Sequence, residues 1–148
     1  MDDIKHNAHL VFDMLAAAVA DDTARAADLL QQIGESSTPD RMYGVCCALA
    51  AAGTNSLRSL YGEHAPDLSR GDMWAMQTLP NAGRDSQSST WASRFLIAYA
   101  NGDKDTPLAL FNASVNDGDR HVDDVASLLI TVTGITRLAL REQNGAAS

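Results

Sequence analysis

The stretch RHVDDVASLLITVTGITRLALRE, residues 120–142, decides the fold class. Its middle, Thr131, Val132 and Thr133, is β-branched and by propensity suits a strand. Yet Val125, Leu128, Leu129, Val132, Ile135 and Ala139 recur at the helical period over about five turns. A strand would bury alternate residues, whereas this pattern lines one side of a helix. Helix propensities differ by only a few tenths of a kcal/mol between such residues, so the period wins. The stretch reads as one long helix.

The rest of the chain reads the same way. Residues 4–20 place Ile4, Ala8, Val11, Leu15, Ala18 and Val19 on one face, and the helix stops at DDT, where Asp22 or Thr23 caps the next. A second helix over 23–33 carries Ala26, Leu29, Leu30 and Ile33, with Gly34 suited to the left-handed position after its end. Thr38 as N-cap and Pro39 at the first helical position open a third helix, which keeps its period through Gly53 to Tyr61. Residues 62–72 are turn chemistry, and DMWAMQTL (72–79) reads as a short helix capped by Asp72 and stopped by Pro80. The linker is PNAGRDSQSS, 80–89. Helices then follow over 90–100 and 106–115, the latter with Thr106 as cap and Pro107 behind it, before NDGD breaks the chain ahead of 120–142. QNGAAS, 143–148, reads as a flexible tail.

The order of elements repeats. A shift of 81 residues lays Leu15 on Leu96, Leu29 on Leu110, Gly53 on Gly134 and Leu57 on Leu138 without gaps. The expected architecture is all-α: one compact domain over 1–148, with six main helices and a short connecting one. Two similar three-helix halves, about 4–61 and 90–142, are joined by 62–89.

Charge narrows the function. The chain is 148 residues long with a formal net charge of −8, and its eleven Lys and Arg are scattered rather than clustered. Nucleic acid and anionic membrane surfaces are poor partners for such a chain. No apolar run approaches the roughly 18 residues of a membrane span, and MDDIKHNAHL resembles no secretory leader, so a cytoplasmic location is expected. The neighbouring Cys46 and Cys47 point about 100° apart on a helix and read as small apolar residues in a reducing compartment.

Candidate chemistry is sparse. His6, His9 and Asp13 converge on one side of the first helix at a spacing that suits a divalent cation. They lie opposite Val11 and Leu15, where a helix facing solvent carries polar groups anyway. His121 and Asp124, another i, i+3 pair, are candidates for a further ligand. Asp117, Asp119, Asp123 and Asp124 otherwise read as carboxylates complementing the positive end of the last helix. No phosphate-cradling, dinucleotide-binding or nucleophile-elbow motif is present, and no cofactor is expected.

The segment LSRGDMWAMQTLP, 68–80, stands out. Met and Trp at helical spacing mostly fill cores. On the outside, Arg70, Met73, Trp74, Met76 and nearby Trp91 would form a partner-binding patch. The leading expectation is a non-catalytic module that binds another protein or a second copy of itself through a helix face or this segment. A small metal-binding protein or enzyme using His6, His9 and Asp13 is the alternative. A third reading is a ligand pocket between the halves lined by Trp74, Met76 and Trp91.

Overall fold

A computed structural model describes residues 2–36, 38–74 and 87–147, with side chains for 9–35, 38–74, 87–118 and 120–143. Six helices account for most of it: α1 (Asp2–Val19), α2 (Thr23–Ser36), α3 (Pro39–Tyr61), α4 (Gln87–Ala100), α5 (Asp105–Asn116) and α6 (Gly118–Ala147). Two single 3₁₀ turns, Gly62–His64 and Leu68–Arg70, follow α3. There is no strand among the described residues. The fold is all-α, and 120–142 lies wholly within α6.

Packing centres on the two long helices. α3 and α6 run against each other more extensively than any other pair, with α4 and α1 each touching both. Along the shared seam Leu49, Leu57, Leu128, Val132 and Ile135 are buried. A β-carbon added at Gly53 would come within 3.0 Å of both Leu96 Cδ1 and Val132 Cγ2. Glycine here is a packing requirement, since it lets α3 close onto α4 and α6. One turn further on, the Ser56 and Thr136 hydroxyls meet at 3.0 Å.

The turns between helices explain the order of elements. After α1 the Asp22 amide donates to the Ala17 carbonyl and the Asp21 amide to Ala18, with Asp21 at φ 67°. This is a Schellman ending, in which a left-handed residue lets two orphan carbonyls be satisfied. The same turn recurs 81 residues on, where Asp103 donates to Ala98 and Gly102 to Tyr99, with Gly102 at φ 77°. Both turns then cap the next helix alike. Asp22 Oδ1 accepts from the Arg25 amide at 3.3 Å and Asp103 Oδ1 from the Thr106 amide at 3.0 Å. Arg137 of α6 secures the first turn from outside, donating to the Val19 and Ala18 carbonyls at 3.1 Å each and pairing with Asp21 at 3.2 Å.

Several boundaries differ from those read in the sequence. Thr38 does cap α3, accepting from the Arg41 amide, with Pro39 first in the helix. α2 runs through Gly34 to Ser36, however, because Gly34 keeps a helical φ and no turn is made there. Asp103, not Thr106, caps α5: it also accepts from the Asp105 amide and the Thr106 hydroxyl. α4 starts at Gln87, inside the supposed linker, which sets Trp91 in the second turn rather than at a helix end. Asp117 alone separates α5 from α6. The supposed tail is helical from 143 to 147, and Gln143 donates to Ser59 Oγ at 2.9 Å, holding that end of α6 to α3. The glycines that the shift superimposes are not equivalent, since nothing lies within 4 Å of a β-carbon at Gly134.

Asp21 and Gly102 do the same job with different strain. Asp21→Gly is expected to raise stability by about 1 kcal/mol and Gly102→Ala to lower it by about as much, since a left-handed residue with a side chain is disfavoured by roughly that amount. Urea unfolding monitored by circular dichroism reads both changes. In the same assay Gly53→Val is expected to cost about 2 kcal/mol or more through overpacking. Gly44→Ala, with nothing within 4 Å on the exposed side of α3, is expected to add about 1 kcal/mol.

Candidate functional site

The conspicuous 68–80 segment divides. Trp74 is 3% exposed and packs edge-on against Tyr61, with ring centroids 5.7 Å apart. Asn101 holds its backbone on both sides: the Trp74 amide donates to Asn101 Oδ1 at 2.6 Å, and Asn101 Nδ2 donates to the Trp74 carbonyl at 3.1 Å. Trp91 is buried too, stacked on Phe95 and donating its indole N–H to the Leu110 carbonyl at 2.8 Å. Both tryptophans are therefore core.

Met73 is 68% exposed, and exposed Arg70 is occupied with Asp67 at 3.5 Å. Met76 lies outside the described residues. Asp72, Met73 and Trp74 are not helical; Asp72 instead closes a small loop with Asp67, each accepting from the other's amide. The Asn101 clamp engages both backbone polar groups of Trp74, and the rest of the expected short helix, 75–79, lies outside the described residues. Trp74 and Trp91 each face an aromatic neighbour, Tyr61 and Phe95, and neither lines the groove that opens beside His121.

His9 and Asp13 are exposed on α1. The His6 side chain lies outside the described residues, so the geometry of the expected triad is not on view. Among the described residues no three His, Cys, Asp or Glu side chains come together in a way that could hold a metal ion. Cys46 is buried, and burial pushes its thiol up to about 12; Cys47, half-buried, is also raised, chiefly by burial. Neither thiol is activated as a nucleophile.

What the fold does assemble lies at the start of α6. Asp124 is completely buried, the reverse of a carboxylate serving an exposed helix end. The Ser114 hydroxyl of α5 donates to Asp124 Oδ2 at 2.6 Å and lies 3.0 Å from His121 Nδ1. Arg120 Nη2 stands 3.7 Å from Asp124 Oδ1. That separation gives attraction without a hydrogen bond, and Oδ1 has no hydrogen-bonding partner among the described residues. His121 also meets the edge of Phe111, centroids 5.4 Å apart. Sequence reading found His121 and Asp124 but missed Ser114. The available signal was that Asp124 sits four residues before Leu128, on the apolar stripe, where a carboxylate needs a buried donor.

Serine, histidine and aspartate in one cluster suggest a hydrolase, but the connectivity is different. A catalytic triad places histidine between the other two, so that it removes the serine proton. In this cluster serine is the middle member, its proton is directed to the carboxylate, and Ser114 is buried. The cluster orients His121 and does not generate a nucleophile.

Beside His121 lies a groove of about 670 Å³. α2 forms one wall with Ala27, Leu30, Gln31, Gly34 and Glu35; Pro39 and Met42 of α3, Val115 of α5, and His121, Val122 and Val125 of α6 form the rest. It exists because α2 packs mainly on α1 and stands away from α6. Comparisons with protein-family models, with curated proteins and with solved structures each give no match to this chain.

Ser114→Ala leaves the buried carboxylate without its donor and is expected to cost about 2–3 kcal/mol. Burial holds folded His121 below its ordinary value of 6.5, with Asp124 opposing that shift. As pH falls the unfolded chain therefore takes up this proton first. The stability that depends on neutral His121 is complete above about pH 6.5 and declines from there toward the lower folded value. Between about pH 7.5 and 5.5 the wild type is expected to lose more stability in urea unfolding than His121→Phe, and equal losses would contradict the assignment.

Proposed function

We propose that this protein is a non-catalytic binding module and that the groove between α2 and α6 takes a small, mainly apolar ligand. One observation carries the reading: an apolar groove of about 670 Å³ stays open beside a polar cluster that fixes a single imidazole. Small-molecule sites have this make-up, at about 300–1,000 Å³ with a few oriented polar groups. No helix among the described residues is long and apolar enough to cross a membrane. A protein partner in place of a small ligand would need about 800 Å² of this chain's surface. Of the exposed large apolar side chains that such a surface would recruit, Val122 lines the groove, while Phe12, Met73, Leu108, Ile130 and Leu140 are not part of it.

Val122, 68% exposed on the groove wall, gives a clean test because changing it leaves the core alone. Nile red, an uncharged dye that brightens in apolar surroundings, is expected to bind the wild type. Val122→Arg is expected to weaken that binding at least about tenfold, a difference of about 1.4 kcal/mol, with helical circular dichroism unchanged. A folded wild type that binds no dye, or equal binding by both proteins, would overturn the proposal.

A further inference from the structure

We infer that the groove selects an apolar ligand bearing a hydrogen-bond donor, an O–H or N–H, which His121 Nε2 accepts. The inference rests on the groove being a ligand site and adds the chemistry of the ligand's polar end.

Proton counting carries it. The Ser114 hydroxyl has one hydrogen, and it is donated to Asp124 Oδ2. At 2.6 Å that hydrogen lies between Ser114 Oγ and Asp124 Oδ2. Ser114 Oγ therefore meets His121 Nδ1, 3.0 Å away, as an acceptor, and the imidazole hydrogen is on Nδ1. Burial keeps the ring neutral, because it outweighs the nearby carboxylate. A neutral ring with Nδ1–H has a lone pair on Nε2, and Nδ1 is already engaged with Ser114. The part of His121 left for a ligand in the groove is an acceptor.

The other polar groups exclude the obvious competitor, a fatty carboxylate. Among the described residues no Lys or Arg lines the groove, while Glu35 does, its carboxylate accepting from Gln31 Nε2 at 3.1 Å. A ligand carboxylate would meet a like charge and an imidazole lone pair. An alcohol or an amine meets a complementary acceptor. The nearby apolar side chains, Leu30, Met42 and Val125, suit a hydrocarbon body.

The experiment is displacement of Nile red, which has no hydrogen-bond donor, from the intact protein at about pH 7.5. The competitors are 1-octanol, octylamine, octanoate and 1-methoxyoctane, the uncharged ether without the O–H. Octanol and octylamine are expected to displace the dye, with the ether and octanoate weaker by about tenfold, the scale of one buried hydrogen bond. His121→Phe, with each competitor read against the dye affinity measured for that variant itself, is expected to bring octanol down to the level of the ether. ¹⁵N NMR of the free wild type reads the same claim without any variant: His121 is expected as the neutral form protonated on Nδ1. Octanoate binding as tightly as octanol, octanol no better than its ether, or His121 protonated on Nε2 would each overturn the inference. Failure of Nile red to bind at all would instead remove the groove as a ligand site.

Discussion

The close approach of α3 to α6 organises the packing of the described helices, and it is tightest where α3 carries no β-carbon. With Leu96 Cδ1 and Val132 Cγ2 both 3.0 Å from where that atom would sit, a side chain at Gly53 would have to push those methyl groups aside. The gain from closing the gap is large. Truncating a buried leucine such as Leu49 or Leu128 to alanine typically costs about 2–5 kcal/mol, comparable with the whole stability margin of a domain. The loss of helix propensity from one interior glycine is only about 1 kcal/mol. Packing therefore decides, and the glycine is kept inside a long helix where propensity alone disfavours it.

The remaining helices take their places from this pair, and the groove is what remains uncovered. α1 and α4 lean on both long helices, α5 is fastened to α4 through Trp91 and to α6 through Ser114. α2 is held chiefly by α1, whose end is in turn gripped by Arg137. One hairpin thus rests on a rigid frame by a single edge and leaves apolar wall exposed on both sides of the gap. The buried Asp124 depends on the Ser114 hydroxyl that donates to it, since desolvating a carboxylate costs more than one long-range cation returns.

Much of the fold was legible because helical periodicity and capping are local. The stripe from Val125 to Ala139 outweighed three β-branched residues, and Thr38–Pro39 marked the start of α3 as read. The turn chemistry at Asp21–Asp22 and Gly102–Asp103 is local as well, and the same turn forms at both places, 81 residues apart. Boundaries set by distant contacts were not legible. Asn101 clamps the backbone at Trp74, and Ser59 holds the end of α6, and neither partner is near in sequence. The candidate site was read poorly for the same reason. Tryptophans that stood out by type prove to be core, while the groove arises from where α2 fails to pack, which no local pattern reports.

Native-state hydrogen exchange, residue by residue, addresses the claim that α3 and α6 form the frame and α2 a loosely attached wall. Amides at 49–57 and 128–135 are predicted to exchange only through global unfolding, with the same denaturant dependence in both helices. Those of α2 are predicted to exchange through a smaller opening of lower free energy. Protection in α2 equal to that in α3, or early opening of α3 or α6, would contradict the account.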